Sequence, residues 1–228
     1  MRSTRIASAV LVHGAGGGGW EWNVWRRVFQ AHGIEVSAPD LEPARAGLAD
    51  TSLGDYMAQV RSAIIAMPQP RALIGASLGG LLALACADEA DALVLVNPLP
   101  PAPWAVDLPS RDRDDVVAWR RNARLPSTRR ALPDSDDATA LFAFRRWRDE
   151  SGRVLREAHA GVALSAPPCR TLCIASTADE DVPPEMPDRM AKAWGFESWR
   201  VPGSHVGPLL GRDAADVASR AVAWLSPG

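Results

Sequence analysis

The chain of 228 residues is short of several things that would define its role at once. It has three cysteines, one tyrosine and one lysine. It has no marked charge of either sign, since 25 Lys and Arg stand against 27 Asp and Glu for a formal net charge of −2. It has no apolar run near the ~20 residues needed to cross a bilayer. Each shortage excludes something. An odd number of scattered cysteines (Cys86, Cys169, Cys173) builds no disulfide framework. With no Cys or His pair nearby, Cys169 and Cys173 read as buried thiols in a strand-like run rather than metal ligands. A balanced charge is unlike the basic footprint of a nucleic-acid binder. The apolar stretch after Arg2 and Arg5, Ala9 to Val12, is too short for a signal peptide. The expectation is a soluble cytoplasmic protein with neither membrane nor nucleic acid as a partner. Oligomeric state leaves no sign in the sequence.

What is present is an alternation of short apolar strands and helices. Hydrophobic residues make up 47% of the chain, enough for a sizeable core at this length. Strands are predicted over 6–12, 34–38, 72–76, 92–96, 170–175 and 198–201, and helices over 21–32, 55–67, 77–87, 184–194 and 213–225. Gly33 ends the first helix. Such alternation implies a mostly parallel sheet of about six strands with helices on both faces. One stretch breaks it. Residues 97–168 contain no convincing strand, open on the Pro-rich NPLPPAP, and hold Trp104, Trp119 and Trp147. Twelve of the basic residues lie between Arg111 and Arg156, interleaved with Asp and Glu. This reads as a solvated helical cap (97–168) inserted into a core built from 1–96 and 169–228.

The chemistry centres on Gly75-Ala76-Ser77-Leu78-Gly79, a G-x-S-x-G pattern between an apolar strand and a helix of small residues. A strand-to-helix turn this sharp strains the backbone of Ser77, and leaves no room for side chains at Gly75 and Gly79. A Ser hydroxyl needs a base. Of four histidines, His32 ends a helix and His159 sits in a mixed-charge run. His13 ends the first strand. His205 lies in the loop VPGSHVGPLL between the last strand and the last helix, on the sheet edge where the turn opens. His205 is therefore the candidate base. The carboxylate that orients it would come from the loop STADEDVPP, which offers Asp179, Glu180 and Asp181. The strand-end segment HGAGGGGW would place a backbone N–H beside Ser77, paired with that of Leu78, as two donors to an oxyanion.

The same glycines also fit a dinucleotide fingerprint. Gly14, Gly16 and Gly19 spell G-x-G-x-x-G, with Glu35 and Asp40 some twenty residues further on. That reading leaves Ser77, the acidic loop and the His205 loop without a role. A short-chain reductase would also need a Tyr–Lys pair, and Tyr56 and Lys192 are far apart.

Taken together, these segments resemble the α/β-hydrolase superfamily, from the first strand to the last helix and in its Ser, acid, His order. HGAGGGGWEWNVW followed by VSAPDL, GASLGG, DEDVPP and GSHVG is similar to the small esterase and hydroxynitrile-lyase branch. The resemblance implies an α/β-hydrolase fold trimmed of its first two strands. It implies Asp179 as the acid, three residues before the Val of the V-P pair, and Ala15 and Leu78 as the oxyanion donors. Hydroxynitrile lyases of this branch carry Thr where Gly14 stands and Lys where Val206 stands, both for handling cyanide. Ester hydrolysis is therefore expected over cyanohydrin cleavage, and Ser rather than Asp at 77 argues against a dehalogenase.

The expected activity is hydrolysis of a small or medium apolar carboxylic ester by Ser77, His205 and Asp179 through an acyl-enzyme, with no metal and no cofactor. Gly14, Trp104, Trp119 and Trp147 are the candidate substrate contacts. The alternatives are the same triad acting on a thioester, a lactone or a C–C bond, or a ligand receptor that keeps an old triad.

Overall fold

The computed structural model describes residues 5–109 and 113–226; Arg2 and Arg111 lie outside them. Six strands form one parallel sheet: β1 (Ser8–Val12), β2 (Glu35–Ser37), β3 (Arg71–Ala76), β4 (Ala92–Val96), β7 (Arg170–Ser176) and β8 (Glu197–Val201). Their spatial order is β2-β1-β3-β4-β7-β8. The strand order reverses between β1 and β3, and the crevice at such a reversal, outside the carboxyl ends of the strands, is where open α/β sheets bind ligands.

Alternate residues of each strand enter different cores. Val10, Leu73, Leu93 and Leu95 pack with Tyr56 and Val60 of α2 (Leu53–Ile65), Leu81 and Leu82 of α3 (Leu78–Ala85) and Met190 of α7 (Glu185–Trp194). Leu11, Ile74, Val94 and Ile174 pack with Trp25 and Phe29 of α1 (Asn23–Ala31) and Ala218 and Val222 of α9 (Ala214–Leu225). A strand covered on both faces has no polar side, which is why these runs read as continuously apolar. Each fully buried Leu, Val or Ile contributes roughly 1.5–3 kcal/mol. A capping box on Ser52 and Asp55 starts α2. The predicted first helix begins instead as a 3-10 turn, Gly19–Trp22, whose first N–H is held by Asp40 Oδ1, before α1.

Between β4 and β7 the chain leaves the sheet. It forms α4 (Leu125–Ala131), α5 (Asp137–Phe144) and α6 (Gly152–Ala160), joined by β5 (Val116–Val117) and β6 (Glu150–Ser151). This antiparallel pair corrects the expectation of a strand-free segment; two residues per strand are too few to show an alternating pattern. Ion pairs such as Arg121–Asp149 and Arg156–Asp115 use the interleaved charges at the surface. Exposed pairs of this kind contribute at most about 1 kcal/mol each. The short helix α8 (Gly207–Leu210) follows the His205 loop. Among the described residues no helix is long and apolar enough to cross a membrane.

Candidate active site

The site is assembled from the carboxyl ends of five strands. At the end of β3, Ser77 has φ 54° and ψ −120°, a region L-residues rarely adopt. The turn survives because its neighbours lack side chains. A Cβ on Gly75 would stand 2.1 Å from the Gly79 carbonyl oxygen, and one on Gly79 would stand 2.2 Å from that of Val12. The Ser77 N–H donates to Val96 O, and its carbonyl accepts from Gly80, Leu81 and Leu99. The turn is thus tied to β4 and to the segment that follows it as well as to α3.

At the end of β1, Gly14 lies against the serine: a Cβ there would be 3.3 Å from Ser77 Cβ and 3.9 Å from Oγ. The loop beyond it is held by side chains from three directions. Gly14 N–H donates to Glu21 Oε2 at 3.2 Å, and Gly16 N–H to Glu150 Oε2 at 3.0 Å. His13 Nε2 accepts from the Leu41 N–H at 2.9 Å, so the proton sits on Nδ1 and is donated to Gly14 O at 2.8 Å. Burial pulls the His13 pKa down to about 4, consistent with that neutral tautomer. The N–H groups of Ala15 and Leu78 have no partner among the described residues. The glycines of the fingerprint pattern thus have local uses: Gly14 makes room beside Ser77, a Cβ on Gly16 would meet the Trp119 ring at 2.3 Å, and one on Gly19 would meet Ala38 O at 2.1 Å.

The acidic loop after β7 separates its three carboxylates. Glu180 and Asp181 are exposed, whereas Asp179 is buried. Asp179 Oδ1 accepts from the N–H groups of Asp181 and Val182, both at 2.9 Å, and Oδ2 lies 2.7 Å from His205 Nδ1. A carboxylate is an acceptor, so Nδ1 carries the proton and Nε2 is left free to accept one. Burial lowers the His205 pKa, but the hydrogen bond and charge of Asp179, with Asp181 behind, outweigh it and hold the imidazole above its ordinary value. Asn97, itself at φ 44°, fixes the loop: its Nδ2 donates to His205 O at 2.6 Å and to Ser176 Oγ at 2.8 Å, and its Oδ1 accepts the Ser176 N–H.

A cavity of about 430 Å³ lies over these groups, and Gly14, Ala15, Ser77 and His205 line it. Its volume suits a small molecule. Buried Leu99, Leu155 and Leu209 form part of the wall, and exposed Asn122 and Arg124 stand elsewhere on it. Trp119 and Trp147 line the cavity. Trp147 donates Nε1–H to Thr128 Oγ1 and packs edge-on to Trp20. Trp104 does not line it, which corrects its candidacy as a substrate contact. It packs edge-to-face on Trp194 of α7, centroids 5.0 Å apart, against the core that holds Met190 of the same helix.

Several contributors are silent in the sequence. Glu21, Asn97, Asp134, Glu150 and His159 gain meaning only from partners or neighbours distant along the chain. The one local sign was a lone Glu between two tryptophans in an otherwise uncharged segment, residues 13–22. Among the described residues no group of His, Cys, Asp and Glu is arranged to hold a metal ion.

Comparison with known proteins places the fold. No curated protein matches the chain significantly by sequence. Solved structures do match in shape. A methylesterase from Arabidopsis superposes with a TM-score of 0.73 at 17% identity, covering 96% of this chain and 100% of that one. Tomato methylketone synthase I gives 0.75 at 18%, covering 98% and 100%. A pyrethroid hydrolase from Sphingobium faniae gives 0.71 at 19%, covering 97% and 98%. Residues 9–220 match the family model described as alpha/beta hydrolase family, and by the extent of that match the chain belongs to it.

Proposed function

We propose that the protein is a serine hydrolase that cleaves small or medium, largely apolar carboxylic esters, with residues 97–168 acting as the cap that selects them. The observation that carries this reading is the bond between buried Asp179 and His205 Nδ1, which leaves Nε2 as an acceptor in the cavity that Ser77 also lines.

His205 Nε2 takes the Ser77 proton as Oγ attacks the ester carbonyl. The carbonyl π electrons move onto oxygen, and the N–H groups of Ala15 and Leu78 receive that oxyanion. Losing one such donor costs about 2.7–4 kcal/mol of barrier stabilisation. His205 then gives its proton to the departing alcohol as the C–O bond breaks. Water repeats the sequence on the acyl-enzyme, losing a proton to His205 and releasing the acid and free Ser77. Asp179 keeps the imidazole in the required tautomer and stabilises the imidazolium. Thioesters and lactones share this acyl chemistry, so a screen over leaving groups ranks them.

The test is reaction with a serine-directed fluorophosphonate and hydrolysis of p-nitrophenyl acetate, in wild type and Ser77→Ala. Labelling at Ser77, with hydrolysis lost in the variant, supports the reading. An unlabelled Ser77, or a variant as active as wild type, overturns it.

A further inference from the structure

Glu21 is the one acidic residue between β1 and α1, and the mechanism above does not use it. It is 4% exposed and lines the cavity beside Ala15 and His205. Its Oε2 accepts the Gly14 N–H. Its carboxyl fills the space that a side chain at residue 17 would take, since a Cβ on Gly17 would stand 2.2 Å from Oε1. With Gly14 held by Glu21 and Gly16 held by Glu150, the Ala15 N–H between them is the one left without a partner among these three.

We infer that Glu21 is a positioning residue of the oxyanion loop, and that it works as an uncharged carboxylic acid: it holds Gly14 so that the Ala15 N–H faces the Ser77 oxyanion without a second negative charge beside it. The inference rests on the serine-hydrolase reading. The groups around Glu21 are His205 from the loop after β8, with Asp179 and Asp181 beyond it; Asp40 after β2; His13 at the end of β1; and Arg113, Arg124 and His159 of the cap, on the walls of the same cavity. Burial pushes the Glu21 pKa up to about 8; the Gly14 N–H and His205 oppose the rise and Asp40 adds to it. An ionised Glu21 would repel the anionic intermediate, and a protonated one would not.

Glu21→Gln retains an oxygen for Gly14 N–H and never ionises. Two measurements separate the claims. The first is the melting temperature from pH 5 to 8. Native wild type keeps a proton that the unfolded chain releases above 4.5, so wild-type stability falls as pH rises through this window. The Tm difference in favour of the variant should widen by more than about 4 °C. A constant difference overturns the uncharged carboxyl whether or not the protein turns over any ester.

The second is the rate at which an uncharged phosphonate ester inactivates Ser77 between pH 7 and 10, each profile normalised to its own value at pH 7. Wild type should fall by about tenfold per pH unit above the Glu21 ionisation. Glu21→Gln should lack that fall, and folded Glu21→Ala should react more slowly than wild type throughout. Superimposable profiles for wild type and Glu21→Gln, or full reactivity in Glu21→Ala, overturn the positioning role. Absence of reaction at Ser77 in wild type overturns the hydrolase reading and, with it, the positioning role.

Discussion

Asp134, in the cap, accepts a hydrogen bond of 2.6 Å from the N–H of Ser204, the residue before His205. A Cβ on Gly207 would stand 2.7 Å from the same oxygen, and the Asp134 carbonyl accepts the Arg212 N–H, so the cap braces the histidine loop on both sides. Hydrogen bonds to a charged group contribute about 1.5–3 kcal/mol. Asp134→Ala is expected to lower kcat on p-nitrophenyl acetate by about tenfold, within the range such a bond supports. Asp136→Ala serves as the comparison. Asp136 caps α5 through the Thr139 N–H, so its loss should lower stability by about 1 kcal/mol and leave kcat close to wild type. Equal kcat losses would sink the assignment.

With His205 as the proposed base, its raised pKa sets the acid side of the expected activity profile. The base must be neutral, so kcat/KM should rise with pH through a value above the ordinary imidazole pKa of about 6.5. Asp179→Asn removes the main cause of the rise and the tautomer control, with an expected loss of about 10⁴-fold. Asp181→Asn takes away a charge but leaves the 2.7 Å bond intact, so the inflection should move down while most activity stays. A larger loss in Asp181→Asn than in Asp179→Asn would reverse the two roles.

His13 makes acid sensitivity a structural matter. Native His13 stays neutral down to about 4, while in the unfolded chain it takes a proton below 6.5. The unfolded state therefore binds more protons in that window, and stability falls as pH falls. The contribution is about 3 kcal/mol at most. Glu21 works in the opposite direction across part of this range, so the informative quantity is a difference. Urea unfolding of wild type and His13→Gln from pH 7 to 4 should show the gap between them shrinking towards acid. A gap independent of pH would contradict the buried neutral imidazole.

The tryptophans of the cap should divide by role. Trp119→Ala opens the cavity wall and is expected to change the preference for acyl chain length. Trp104→Phe loosens packing against Trp194 and should lower Tm by a few degrees without altering that preference. The measurement is relative kcat/KM over a series of p-nitrophenyl esters. A shifted series in Trp104→Phe would return that residue to the pocket.

The sheet was legible because strands buried on both faces, such as ALVLV, read as unbroken apolar runs. Ser77 was legible because a tight turn permits few residue types around it. The acid was not decided by the residues alone. Asp179, Glu180 and Asp181 are consecutive along the chain, and burial and the bond to His205 distinguish them only in the fold. Glu150 and Gly16 are 134 positions apart, and no local pattern connects a carboxylate to an N–H across that distance. Trp104 and Trp147 are chemically alike; what separates them is the partner each packs on, Trp194 for the one and Trp20 for the other, residues distant along the chain.

The cap is stitched to both halves of the site, through Glu150 to the loop carrying Ala15 and through Asp134 to the loop carrying His205. Exchanging caps between related enzymes is an obvious route to new substrates. In this chain a transplanted cap lacking those two carboxylates would arrive with a different pocket and a loosened catalytic floor. Specificity and rate would then change together, and a graft that carried both anchors would be needed to redesign one without the other.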